Sequence, residues 1–127
     1  MGIEHLAVLA KDTAALKDWY AETFGGKVVY DNGKGTYFVA FADGSMIEFI
    51  MAEENTPEYG TKAAGIRHIA IGVEADEFEP LVKTLKADGR VQEISDVAES
   101  AKGIKTYFFR DPEGNILHLI YRPVRLV

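Results

Sequence analysis

Four residues carry the chemistry open to this chain. Its three histidines, His5, His68 and His118, each sit in a short apolar, β-prone run: Ile3-Glu4-His5-Leu6-Ala7-Val8, Ile66-Arg67-His68-Ile69-Ala70-Ile71 and Ile116-Leu117-His118-Leu119-Ile120. The fourth residue is Glu48, enclosed in the same way by Met46-Ile47 and Phe49-Ile50. Neutral imidazole nitrogens and a carboxylate oxygen suit one divalent transition ion, Zn, Ni, Co, Fe or Mn, whereas magnesium and calcium prefer more oxygen. Cysteine is absent, which excludes thiolate ligation, disulfides and a Cys nucleophile. There is no phosphate-binding Gly loop, no Gly-x-Ser-x-Gly elbow and no His-Glu-x-x-His helix.

A lone histidine on an apolar strand is more often a core residue bonded to a backbone carbonyl than a ligand. An internal repeat changes that weighing. Residues 2–8, Gly-Ile-Glu-His-Leu-Ala-Val, return 63 positions later as residues 65–71, Gly-Ile-Arg-His-Ile-Ala-Ile, and Gly26-Lys27-Val28 returns at the same offset as Gly89-Arg90-Val91. Thr36-Tyr37-Phe38 and residues 44–50 return 70 positions on, as Thr106-Tyr107-Phe108 and residues 114–120, so the second copy carries seven extra residues between Gln92 and Thr106. His5 and His68 therefore fill one slot of a duplicated module, and Glu48 and His118 fill the other. If both slots face a shared concave surface, a pseudo-twofold brings four ligands around one ion. Glu48 between Ile47 and Phe49 points the same way, because an unpaired buried carboxylate needs a cation or a proton.

The elements that must position these residues read in the same order in each copy. Residues 3–9 form a strand; Asp12 or Thr13 caps a helix with Leu16, Trp19, Tyr20 and Phe24 on one stripe, stopped by Gly25-Gly26. Strands follow at 27–31, 36–42 and 45–51, separated by Asn32-Gly33 and Asp43-Gly44 turns. In the second copy Asp76 and Glu79 have capping-box spacing, Phe78, Leu81, Val82 and Leu85 form the buried stripe, Pro80 falls in the first turn and Gly89 ends the helix. The reading is α+β, two tandem βαβββ modules at 1–52 and 65–127 joined by a polar linker at 53–64. We take them as one domain over 1–127, since a half of about 60 residues buries too little surface to stand comfortably alone.

Other residues admit two readings. Tyr37 and Tyr107, repeat partners beside the ligand strands, either orient a substrate or are core aromatics with solvated hydroxyls. The extra residues within 95–104 either form a loop over the cleft, with Lys102 or Lys105 facing an anionic substrate, or, more economically, an ordinary exposed loop. Arg110, Glu53-Glu54 and the acidic residues 77–79 are most economically solvated surface.

Composition sets the outer bounds. Hydrophobic residues make up 47% and charged residues 27%, as expected of a globular protein. With 20 acidic and 14 basic side chains the formal charge is −6, without the clustered Lys and Arg that phosphate backbones require, which argues against nucleic acid. No window approaches the roughly 20 apolar residues that span a bilayer, and no basic segment followed by an apolar stretch opens the chain, so a cytoplasmic address without membrane contact is expected.

The chain resembles the vicinal oxygen chelate superfamily, which includes glyoxalase I, fosfomycin- and bleomycin-resistance proteins, methylmalonyl-CoA epimerase and extradiol dioxygenases. The resemblance spans nearly the whole chain. It rests on His5 in the opening strand, Trp19-Tyr20 through Phe24-Gly25-Gly26, Glu48, His68, and Phe109-Arg110-Asp111-Pro112-Glu113-Gly114-Asn115 before the closing strand. It implies an incomplete mixed β-barrel around a metal cleft, with ligands at the positions of His5, Glu48, His68 and His118. Where glyoxalase I and related enzymes commonly have a second Glu, this chain has His118, so a divalent ion would keep a net charge of about +1. The activity implied is a glyoxalase I-like lyase or isomerase acting on a small substrate with vicinal oxygens through a metal-stabilised enediolate, with Glu48 moving the proton. The alternatives are an extradiol-type dioxygenase and a metal-free binding or resistance protein. A homodimer is expected, since the family generally associates and incomplete barrels leave exposed edges.

Overall fold

The computed structural model describes residues 1–53 and 64–127. Most of the linker expected at 53–64 lies outside the described residues. The chain divides into two compact units, Met1–Glu58 and Tyr59–Val127. The first contains β1 (His5–Ala10), α1 (Thr13–Phe24), β2 (Lys27–Asp31), β3 (Tyr37–Ala40) and β4 (Met46–Met51); the second contains β5 (Ile69–Gly72), α2 (Ala75–Ala87), β6 (Gln92–Glu99), β7 (Lys105–Arg110) and β8 (Ile116–Tyr121). Each unit is thus a βαβββ module.

The two units repeat one topology. The first sheet runs β1-β4-β3-β2 and the second β5-β8-β7-β6. In both, the opening strand lies parallel to the closing one, β1 on β4 and β5 on β8, and the remaining pairs are antiparallel. The parallel pair needs a long crossover, and the helix supplies it.

Period-two alternation decides which face each helix covers. In the first unit Val8, Ala10, Val39, Ile47 and Phe49 are buried together with Leu16, Trp19 and Tyr20 of α1, and Tyr20 meets Phe49 at a ring-centroid distance of 5.1 Å. In the second, Tyr107, Phe109, Leu117 and Leu119 are buried with Phe78, Val82 and Leu85 of α2. Intervening residues, among them Glu48 and His118, fall on the opposite, helix-free face.

The ends of the elements repeat in part. Asp12 caps α1, its Oδ1 accepting from the Ala15 N–H at 3.0 Å. The cap of α2 is Glu74, not Asp76: Glu77 Oε1 accepts from the Glu74 N–H at 2.8 Å, so the reciprocal pair begins two residues earlier than its sequence spacing suggested. Pro80 consequently stands in the second turn, where its missing N–H removes a bond to the Asp76 carbonyl. Gly89 does not end this helix; Asp88 does, in an extended conformation with its N–H on the Leu85 carbonyl. The first half of the stretch expected as a loop at 95–104 is strand, with β6 running to Glu99 and a tight turn following. The turns before β4 and β8 match bond for bond. Phe41 N–H donates to Ser45 O and Gly44 N–H to Phe41 O, both at 2.9 Å, and Asp111, Asn115 and Gly114 reproduce both bonds at the same distances. Gly44 and Gly114 have φ of 85° and 93°, a region that a residue with a Cβ enters only at a cost.

Among the described residues no helix is long and apolar enough to cross a membrane.

Candidate metal centre

In the first unit the strand pattern presents Glu48 on the helix-free face, because its neighbours Ile47 and Phe49 are buried beneath α1. Glu48 sits on a central strand, opposite Ala7 on β1 and Phe38 on β3. His5 opens β1, and its Nε2 lies 3.6 Å from Glu48 Oε1. That is beyond ordinary hydrogen-bond length. It matches the roughly 3.3–3.6 Å that separates two tetrahedral ligands each about 2.0–2.2 Å from one ion. The other ring nitrogen, Nδ1, donates to Glu4 Oε1 at 2.9 Å, which leaves Nε2 as the nitrogen turned toward Glu48.

The second unit builds the same slots with different donors. His118, on the central strand β8, is 6% exposed, and Leu117 and Leu119 on either side are buried on the helix face. His68 immediately precedes β5. The two rings meet edge to face with centroids 4.6 Å apart. Burial, and then the neighbouring His68, hold His118 below the usual imidazole range, so it is neutral near pH 7, the form a metal ion requires.

Both His68 and His118 have a buried Nδ1 with no hydrogen-bond partner. A buried polar atom left unpaired costs about 1–3 kcal/mol, and a cation that accepts a lone pair from the ring offsets it. The donors present therefore fit a divalent ion. Among the described residues the four side chains stand as two pairs, one in each unit, and no group of three or more His, Asp or Glu side chains with metal-holding geometry occurs.

The tyrosines belong elsewhere. Tyr107 pairs with Leu119 on the helix face, is fully buried, and donates its hydroxyl to Glu93 Oε2 at 2.9 Å; burial, then that bond, push its phenol well above its ordinary range. Tyr37 lies opposite Phe49, with Lys17 Nζ 4.5 Å above its ring. Tyr107 is a core aromatic whose hydroxyl is bonded rather than solvated, and Tyr37 is half-buried on the same face as Phe49. Lys105 approaches Glu79 on α2 at 3.8 Å rather than a ligand. The aromatic residues that do adjoin the ligands are Phe38 and Phe108, cross-strand partners of Glu48 and His118. Alternation puts them one residue past Tyr37 and Tyr107 and so on the face opposite the helices.

A model of the Glyoxalase/Bleomycin resistance protein/Dioxygenase superfamily matches residues 2–119. The chain belongs to this superfamily. Solved structures of similar fold include a glyoxalase/dioxygenase from Nostoc punctiforme (14% identity, 97% of this chain and 92% of that one, TM-score 0.79). The oxidase ChaP-H2 is another (21% identity, 97% and 94% covered, TM-score 0.77). A third is a variant of the fosfomycin resistance protein FosX from Listeria monocytogenes complexed with Mn(II) and 1S,2S-dihydroxypropylphosphonic acid (20% identity, 93% and 87% covered, TM-score 0.72). No curated protein matches. Structures with such different names share one fold, so fold alone does not select a reaction.

Proposed function

We propose that this chain is a metal-dependent lyase or isomerase that moves a proton on a small substrate bearing vicinal oxygens. The observation that carries this reading is the carboxylate–imidazole pair at ligand spacing, Glu48 Oε1 and His5 Nε2 at 3.6 Å, in the module whose counterpart holds two imidazoles with unpartnered buried nitrogens. His5, Glu48, His68 and His118 are the residues that would hold one divalent transition ion, Zn, Ni, Co, Fe or Mn, with both modules acting as one domain. When bound, the ion supplies Lewis-acid charge to two adjacent oxygens and acidifies the neighbouring C–H. Glu48 takes that proton on a carboxylate oxygen and returns it to an adjacent atom. Glu4 accepts from His5 Nδ1, and Phe38 and Phe108 stand as cross-strand partners of Glu48 and His118. The FosX complex supports the substrate class, since the molecule it carries has hydroxyls on adjacent carbons.

A second reading, an oxygenase, is favoured by one observation: His118 leaves three imidazoles and a single carboxylate, a donor set compatible with redox-active iron or manganese. Elemental analysis and metal titration of the wild type and of a His5→Ala/His68→Ala variant test the site. One ion per chain in the wild type and a large loss in the variant are expected; equal content in both would overturn it. Turnover of vicinal-oxygen substrates without dioxygen supports the isomerase, and strict dependence on dioxygen supports the oxygenase.

A further inference from the structure

Metal-binding histidines ordinarily donate their second ring N–H to a carboxylate or carbonyl, which fixes the ring plane and the tautomer. His5 has such a partner in Glu4. Among the described residues no carboxylate stands beside His68 or His118 as Glu4 stands beside His5, and the Nδ1 of each, the nitrogen open to an ion, is buried without a hydrogen bond. Something else must hold these rings. Phe108 lies directly across from His118 in the β7–β8 register and stacks on it almost face to face, with centroids 4.4 Å apart and planes 5° from parallel. His68 stands edge-on to both, 5.8 Å and 89° from Phe108 and 4.6 Å and 88° from His118. In the first unit the repeat-equivalent Phe38, across from Glu48, meets the His5 ring edge to face at 5.1 Å.

The geometry points to Phe108 as the positioning residue of the second pair: its ring takes the place of a hydrogen-bonded partner and sets the planes of His118 and His68 before any ion arrives. Parallel stacking restrains χ2 of His118, and the orthogonal contact restrains His68 against both other rings. Phe38 plays the smaller part, because Glu4 already orients His5. This inference rests on the metal reading above for its consequence, and on ring geometry alone for its cause.

The test uses the full chain, with Co(II) as probe. Phe108→Leu keeps the residue apolar and removes the ring face, while Phe108→Tyr keeps the face. Loss of an outer partner typically weakens metal affinity 10- to 100-fold, so Phe108→Leu should bind Co(II) about 10-fold more weakly and with an altered visible absorption spectrum, and Phe108→Tyr should restore both. In the metal-free protein the ring-current-shifted His118 proton resonances should move toward ordinary positions in Phe108→Leu and stay in Phe108→Tyr. Phe109→Leu, on the helix face, controls for stability: it should lower the melting temperature without changing the Co(II) spectrum. Wild-type affinity and spectrum in Phe108→Leu, or equal losses in Phe108→Leu and Phe108→Tyr, would overturn the positioning role alone. A wild type that binds no Co(II) would instead overturn the metal reading, together with the consequence drawn here from it.

Discussion

Glu48 has no carboxylate neighbour across either adjoining strand; its cross-strand partners are Ala7 and Phe38. In the proposed reaction it serves both as ligand and as base, and the two duties separate by substitution. Glu48→Gln preserves size and one oxygen donor while removing basicity. Turnover should fall on the order of 10²- to 10⁴-fold, with metal content reduced much less. Full turnover once the variant is saturated with metal would remove Glu48 as the base and favour the oxygenase. At this scale the polar candidates were legible because polar residues inside apolar runs stand out, and the repeat pairs them. Phe38 and Phe108 were not, because a phenylalanine in a strand carries no mark that separates core from site. Only the register does that, placing them beside Glu48 and His118 and sending Tyr37 and Tyr107 to the helices.

Repeat-equivalent elements invite the assumption that equivalent residues do equivalent work, and the Gly26–Gly89 pair contradicts it. A Cβ on Gly26 would stand 2.5 Å from Val39 Cγ1 and 3.3 Å from the Ala40 carbonyl oxygen, against a strand residue that is fully buried. A Cβ on Gly89 would meet nothing within 4 Å, and its φ lies outside the left-handed region. Gly26→Ala should therefore destabilise by about 1–3 kcal/mol through overpacking. Gly89→Ala should be neutral or stabilise by about 0.4–1 kcal/mol through the unfolded chain. Urea unfolding of both variants checks this; equal effects would show that helix-to-strand packing does not distinguish the modules. Element types and order were readable because hydrophobic period and turn residues change together at each junction. Their ends were less so: several acidic residues around 74–79 satisfy capping-box spacing, and only bond geometry chooses Glu74 with Glu77. The β6 strand was hidden by Glu93, Asp96 and Glu99 and by two register shifts, features of an edge strand that resemble a loop when read as composition.

Across the whole molecule, the four sheet edges differ in how well they resist pairing. β6 carries charges and two irregularities, and β2 has one irregularity with Lys27 and Asp31 at its ends. β1 and β5, whose sequences are His-Leu-Ala-Val-Leu-Ala and Ile-Ala-Ile-Gly, contain no Lys, Arg, Asp or Glu. Leu9 is 60% exposed, and Ile66 beside β5 is 77% exposed. Edges with this character pair readily, and a standard interface covers only about 800 Å² per partner, near a tenth of the 8645 Å² surface of this chain. A homodimer is the expected state, with a sedimentation mass near twice 14.0 kDa at micromolar concentration. The charge of −6 on each chain opposes association at long range, whereas apolar edge contacts do not depend on ionic attraction. Raising salt should therefore leave the dimer intact or tighten it. A species of about 14 kDa at both low and high salt would refute the dimer, and dissociation on adding salt would show that ion pairs, rather than these apolar edges, hold it together.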